Sequence, residues 1–84
     1  MAKIEIYTTT TCPYCHAAKD LLGQKGTSYT EINVTNDPKL RSTMQGRAGG
    51  KTSVPQIFID GTHIGGCDDL HALEQKGALD ALLA

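Results

Sequence analysis

A strand pattern changes to a helix pattern at Cys12, with a second cysteine, Cys15, three residues later. This junction restricts the folds that the chain can adopt. From Lys3 to Thr8 the side chains alternate with the period of two that is typical of a strand, with isoleucines on one face. Threonines then lead to Cys12, followed by Pro13, which suits the first helical position because that residue's N–H would have no helical partner. The sequence therefore predicts a strand followed at once by a helix that begins at Pro13.

The rest of the chain predicts an α/β fold with a four-stranded mixed sheet. Strand signals cover four segments, residues 3–8, 28–33, 56–59 and 62–64. Helix signals cover residues 13–25 and a short segment that starts near Pro38 and ends at Gly46. A last helical segment follows residues 67–69 and ends at Gly77, and residues 79–83 add one or two helical turns. The order βαβαββα predicts a parallel first strand pair, an antiparallel last pair and helices on both faces. Residues 46–53 are predicted to form a loop.

Composition excludes several classes of function. The 8 basic and 9 acidic residues leave no basic surface for nucleic acid. The apolar runs are much shorter than the roughly 20 residues that cross a bilayer, and the N-terminal segment lacks the apolar core of a secretory signal. Three cysteines do not form a framework of paired structural disulfides. We expect a single cytoplasmic domain over residues 1–84 without a nucleic-acid or membrane partner.

The Cys-Pro-Tyr-Cys sequence predicts a redox-active pair. The spacing places Cys12 and Cys15 on one face of the first helical turn, with α-carbons roughly 5 to 6 Å apart, which is within the range of a disulfide. The unpaired N–H groups and the dipole of that turn favour a thiolate at Cys12, which we therefore expect to be the nucleophile. Cys15, one turn inside the helix, is expected to be more shielded and to resolve a mixed disulfide.

Two metal-based alternatives fit the same cysteines less well. A structural zinc site needs four ligands, and beyond this pair the chain offers only Cys67 and three histidines, without a second pair at ligand spacing. The motif also matches CxxCH, the pattern of covalent haem attachment, but that attachment normally follows export. We therefore expect no metal site, and we expect His16 to be a solvated surface residue.

Four blocks in this order make the chain resemble the glutaredoxins, specifically the small dithiol bacterial class: EIYT, CPYCHAAKDLL, SVPQIFIDG and HIGGCDDL. The resemblance covers nearly the whole chain. It implies a thioredoxin-like fold and an oxidoreductase that uses glutathione as reductant, with no tightly bound cofactor. The implied partners are glutathione and disulfide-containing or glutathionylated proteins. We expect a monomer, because nothing in the sequence demands a larger assembly.

The resemblance also assigns roles to individual residues. Cys12 resembles the attacking thiolate and Cys15 its resolving partner. The residues that resemble glutathione contacts are Tyr14, which lines the groove, Val54, whose backbone pairs with the glutathione cysteine, Pro55, the cis proline that faces the active-site sulfurs, and Cys67 with Asp68, which bind the γ-glutamyl end. The last pair also has a purely structural interpretation, Cys67 as a small buried side chain and Asp68 as a helix cap.

One departure from the family concerns the glycine carboxylate of glutathione. Relatives often carry a lysine three residues before the first cysteine, where this chain has Thr9. Lys51 or Arg47, from the loop before residue 54, could supply the charge. Ser53 stands where the family usually has threonine, which keeps the hydroxyl.

Two further hypotheses keep the fold and change the function. In the first, thioredoxin reductase supplies the electrons, an idea that Thr9 motivates. In the second, a dimer binds an iron-sulfur cluster through Cys12 and glutathione. Pro13 counts against the second, because cluster-binding relatives usually carry a smaller residue after the first cysteine.

Overall fold

Residues 2–83, which the computed structural model describes, form four strands and four helices. In chain order these are β1 (Ile4–Thr8), α1 (Pro13–Gln24), β2 (Thr30–Asn33), α2 (Pro38–Arg47), β3 (Gln56–Ile59), β4 (Thr62–Gly65), α3 (Cys67–Gln75) and α4 (Leu79–Leu83). The predicted order βαβαββα is confirmed, and the turn expected after residue 77 is α4. No helix within the described range is both long enough and apolar enough to span a bilayer.

The four strands form one mixed sheet in the order β2-β1-β3-β4. β1 pairs with β2 in parallel, while β3 is antiparallel to both β1 and β4. The predicted mixed, thioredoxin-like sheet is therefore confirmed. β2 starts at Thr30, two residues later than predicted, because its pairing with β1 begins at Glu5 opposite Thr30.

The two faces of the sheet are covered by different helices. On one face, isoleucines of β1 and β3 lie opposite each other across the strands, as in the pair Ile6 and Ile57. They pack against apolar side chains of α1, α3 and α4, including Leu22, Leu70 and Leu79, each of which is fully buried. α2 covers the other face, so the prediction of helices on both faces is also confirmed.

The α2 face is more polar than the α1 face. Met44 of α2 packs there with Tyr7 and Phe58. Beside them, the Arg47 guanidinium forms an ion pair of 2.9 Å with Glu5, donates a hydrogen bond of 2.9 Å to the Tyr7 hydroxyl and lies 4.1 Å from the centre of the Phe58 ring. A partly buried ion pair and a cation–π contact therefore join α2 to the sheet.

These contacts explain one wrong prediction. We expected α2 to end at Gly46, but the helix continues to Arg47, and the N–H of Ala48 still bonds to the carbonyl of Met44 at 2.9 Å. A glycine lowers helix stability by only about 1 kcal/mol, and the contacts of Arg47 with the sheet outweigh that cost. The loop before β3 therefore begins at Ala48.

Candidate active site

The first turn of α1 holds Cys12 at its N-cap. The residue has extended backbone angles, φ −125° and ψ 101°, and its carbonyl accepts the N–H of His16 at 3.2 Å. Pro13 occupies the first helical position, as predicted. The backbone N–H of Cys15 donates to the Sγ of Cys12 at 3.1 Å. A helix N–H thus points at the sulfur of the expected nucleophile, where it also stabilises a thiolate.

Cys12 and Cys15 form a disulfide, with their α-carbons 5.2 Å apart. Cys12 is 7% exposed and Cys15 only 1%. Cys15 is therefore the more shielded sulfur, and an incoming thiol has easier access to Cys12. This agrees with the division into an attacking and a resolving cysteine.

A network of hydroxyl hydrogen bonds, which was not predicted from the sequence, fixes the segment before Cys12. The N–H of Thr10 donates to the Oγ1 of Thr35 at 2.9 Å, and the N–H of Thr35 donates to the Oδ1 of Asn33 at 2.8 Å. The run of threonines after β1 is the sequence signal for it, because short hydroxyl side chains bond readily to nearby backbone. The network ties the entry of α1 to the end of β2.

The segment before β3 lies opposite this helix start. The Val54–Pro55 peptide bond is cis, as the resemblance implied. The carbonyl oxygen of Val54 lies 3.8 Å from the Sγ of Cys12. The two segments together place a backbone carbonyl beside the sulfur of the expected nucleophile.

An open groove of about 210 Å³ extends from this point. Its lining includes all six residues that the sequence analysis assigned to glutathione: Tyr14, Lys51, Val54, Pro55, Cys67 and Asp68. The side chain of Tyr14 is 65% exposed, so the ring is accessible to a ligand. Ser53, Gln56, Gly66 and Asp69 also line the groove. Of these, Gln56 had one signal, a polar residue at the start of an otherwise apolar strand.

α3 begins at Cys67, earlier than predicted, because Gly66 is its N-cap. The carboxylate of Asp69 accepts the N–H of Gly66 at 3.0 Å. The interpretation of Asp68 as the cap is therefore wrong, since Asp69, three residues after the N-cap, occupies the position that reaches back to it. Asp68 is exposed in the groove instead.

Cys67 is buried at the edge of the groove. Its Sγ lies 3.3 Å from the Nδ1 of His71, one turn further along α3. Burial raises the pKa of the Cys67 thiol, and the negative charge of Asp68 raises it further. The protonated thiol is thus favoured here, in contrast to the environment of Cys12.

Lys51 is the cationic side chain that lines the groove, and it is exposed. Arg47, the other predicted source of positive charge, is on α2 and bonds to Glu5 and Tyr7, so that prediction is wrong. His16 is exposed, as expected. Within residues 2–83, no cluster of three or more His, Cys, Asp and Glu side chains has the arrangement of a metal site.

Comparisons with known proteins agree with this geometry. A family model described as Glutaredoxin matches residues 4–64. Glutaredoxin 3 of Escherichia coli strain K12 is 57% identical over 83 residues, which cover 99% of each chain. The solution structure of glutaredoxin from Brucella melitensis is 52% identical, with a TM-score of 0.86, and the match covers 99% of this chain and 89% of that one. The crystal structure of a buckwheat glutaredoxin-glutathione complex is 29% identical, with a TM-score of 0.88 and coverages of 98% and 76%.

Fold, sulfur geometry and relatives lead to the same conclusion. Two cysteines that form a disulfide at a helix N-terminus, with one sulfur more accessible than the other, are suited to exchange disulfides with other thiols. The chain belongs to the glutaredoxin family of thiol-disulfide oxidoreductases.

Proposed function

We propose that this protein is a glutathione-dependent oxidoreductase that reduces protein disulfides and glutathione mixed disulfides through Cys12 and Cys15. One observation carries the proposal. The Sγ of Cys12, which accepts the helix N–H of Cys15, lies beside the Val54 carbonyl, and Val54 lines the groove together with the other residues expected to bind glutathione. The same geometry supports nucleophilic attack by Cys12 on a ligand seated in that groove.

The reaction with a glutathionylated protein uses Cys12 alone. Its thiolate attacks the glutathione sulfur of the mixed disulfide, so that a Cys12–glutathione disulfide forms and the target leaves as a thiolate that takes a proton from water. A second glutathione thiolate then attacks the same glutathione sulfur. Oxidised glutathione leaves, and Cys12 returns to the thiolate that the N–H of Cys15 stabilises.

The reaction with a protein disulfide needs both cysteines. Cys12 attacks one target sulfur and forms a mixed disulfide, and the other target sulfur leaves and is protonated. Cys15 then loses its proton and attacks the Sγ of Cys12, which releases the reduced target and leaves the disulfide that the structure contains. Two glutathione molecules restore the dithiol, the first by attack on Cys12 with Cys15 as the leaving thiolate.

The charges of the groove fit a tripeptide with a carboxylate at each end and one ammonium group. Lys51 can pair with a carboxylate, and Asp68 can accept the ammonium group. The first turn of α3 offers N–H groups, beyond the one that Asp69 occupies, to a second carboxylate. We propose that the protein does this work in the cytoplasm, because the cytosolic glutathione pool supplies the reductant. We also propose that it acts as a monomer.

The test is reduction of a small mixed disulfide by the recombinant protein with two electron sources. One arm contains glutathione, glutathione reductase and NADPH, and the other contains thioredoxin reductase and NADPH. We expect turnover in the glutathione arm. Turnover with thioredoxin reductase alone would contradict the proposal and assign the protein to the other class of redoxin.

Two serine variants separate the roles of the cysteines. Cys12→Ser should lose every activity, because it lacks the attacking sulfur. Cys15→Ser should still remove glutathione from a glutathionylated peptide but should no longer reduce a protein disulfide. A Cys12→Ser protein that still turned over would show that the nucleophile lies elsewhere.

A further inference from the structure

The side chain of Gln56 connects the segment before β3, which contains Ser53 and Val54, to β4 at the edge of the sheet. Gln56 is fully buried, and its Nε2 donates to the carbonyl of Ser53 at 2.9 Å and to the Ser53 hydroxyl at 3.3 Å. Its Oε1 lies 2.7 Å from the Nε2 of His63 on β4. Both ends of one buried amide are therefore in use.

The chemistry of these partners fixes the direction of each hydrogen bond. The Ser53 carbonyl can only accept, so the Gln56 atom that faces it must be the nitrogen. The Gln56 oxygen then faces His63, and the Nε2 of that imidazole must carry a proton and donate. His63 donates to Gln56, and Gln56 donates to Ser53, so the contacts form a one-way chain from β4 to the loop.

His63 is itself held by the sheet. It is paired with Phe58 across β3 and β4, and the two rings stack with their centres 5.0 Å apart and an angle of 34° between their planes. Phe58 is buried. The chain of hydrogen bonds therefore starts from a ring fixed on the sheet, while Ser53 lies in a segment without regular structure.

We propose that His63 and Gln56 are positioning residues, which hold the Ser53–Val54 backbone beside the Cys12 sulfur and so form the place where the cysteine of a thiol peptide binds. The Val54 carbonyl is 3.8 Å from that sulfur, one residue after the carbonyl that Gln56 holds. The identity of the thiol peptide as glutathione rests on the proposed function. Neither side chain reacts, so both act through the backbone of residues 53 and 54.

Two substitutions at His63 separate the hydrogen bond from the ring stacking. His63→Phe keeps a ring over Phe58 but removes the donor to Gln56. His63→Gln places an amide donor near the same position but removes the ring. Thr62→Val changes an exposed neighbour on the same strand and is the matched control.

The readouts are KM for glutathione and kcat in the mixed-disulfide assay. We expect His63→Phe to raise KM by about fivefold to tenfold with little change in kcat, the scale of one lost hydrogen bond. His63→Gln and Thr62→Val should stay within about twofold of the parent KM. An unchanged KM in His63→Phe would overturn the proposal. An equal rise in both His63 variants, or a rise in His63→Gln alone, would show that ring stacking matters instead and would also overturn it.

Two spectroscopic measurements keep this test independent of the proposed function. Imidazole ¹⁵N shifts of the parent protein at alkaline pH should show a proton on the Nε2 of His63, and a proton on Nδ1 alone would refute the chain of hydrogen bonds even if no variant folded. The backbone amide resonances of Ser53 and Val54 should move in His63→Phe and stay in place in His63→Gln. If the parent failed to turn over glutathione, the proposed function would fail, while these resonances would still decide the positioning role.

Discussion

Replacing Gly65 by alanine tests how the start of α3 is built. Gly65 has a φ of +124°, a backbone conformation that L side chains rarely adopt. A Cβ added there would lie 2.7 Å from the Cγ of Asp69, whose carboxylate holds the N–H of Gly66. Alanine therefore brings two penalties, backbone strain at residue 65 and displacement of the side chain that caps α3.

The two penalties can be added because they act on different groups. Unfavourable backbone conformation costs an alanine about 1 to 2 kcal/mol. Loss of a helix-capping hydrogen bond costs about 1 to 2 kcal/mol more. The sum is about 2 to 4 kcal/mol, which lowers the melting temperature of a domain of this size by about 10 to 25 °C.

Thermal and urea unfolding of the reduced protein measure this loss against matched variants. Gly61→Ala has the same kind of strain at φ +81°, but within the described structure its Cβ meets no atom within 4 Å, so it should cost only the backbone share. Gly46→Ala, inside α2 with equally open surroundings among residues 2–83, should stabilise the protein by about 0.5 to 1 kcal/mol. In an Asp69→Ala background, Gly65→Ala should also cost only the backbone share. A Gly65→Ala protein no less stable than Gly61→Ala would refute the role of Asp69.

Two further predictions follow from the titrating groups. Hydrogen bonds from Arg47 lower the pKa of Glu5, so their ion pair stabilises the fold above the unfolded-state pKa of Glu5 and ceases to do so as the pH falls through the lower folded-state value. Arg47→Met should therefore lower the free energy of unfolding by about 1 to 2 kcal/mol at neutral pH and by less in acid, and an equal loss in urea titrations at both pH values would contradict this. Burial raises the pKa of Cys67, which is the remaining thiol of a Cys12→Ser/Cys15→Ser protein. At neutral pH, iodoacetamide should therefore alkylate Cys67 in this variant more slowly than it alkylates free glutathione, as followed by mass spectrometry. Asp68→Asn should speed that alkylation, and alkylation as fast as that of glutathione would show that the thiol is not shielded.

The features that the sequence predicted correctly depend on residues that are close in the chain. The start of α1 follows from Cys12 and Pro13, and the hairpin of β3 and β4 follows from two strand-forming segments on either side of an Asp-Gly turn. The accessible and shielded sulfurs follow from their places in one helical turn. In contrast, chain position alone does not predict which residues line the groove. Only the family resemblance predicted that Tyr14, Lys51 and Asp68 share one site.

The features that were missed or wrong depend on contacts between distant segments. Nothing near Gly46 shows that Arg47 will bond to Glu5, 42 positions away, and carry α2 one residue further. The Asp-Gly turn places His63 opposite Phe58, but the hydrogen bond of His63 with Gln56 runs diagonally across the two strands and depends on side-chain conformations that the sequence does not show. The expectation that Asp68 is the cap was wrong because it depended on where α3 begins, and Gly66 as the N-cap moves that start to Cys67.

The unequal faces of the sheet have a consequence for local opening. Cys12, the proposed nucleophile, lies at the N-cap of α1, which buries Ala18, Leu21 and Leu22 on the isoleucine face. In contrast, α2 buries only Met44 among its described residues. Amide hydrogen exchange should therefore be slow in α1 and faster in α2 and the segment after it, because local opening costs least where little apolar surface is lost. The chemistry of the dithiol thus takes place at the start of a slowly exchanging helix. In contrast, Lys51 and residues 53–55, which line the groove, follow the helix that opens most easily.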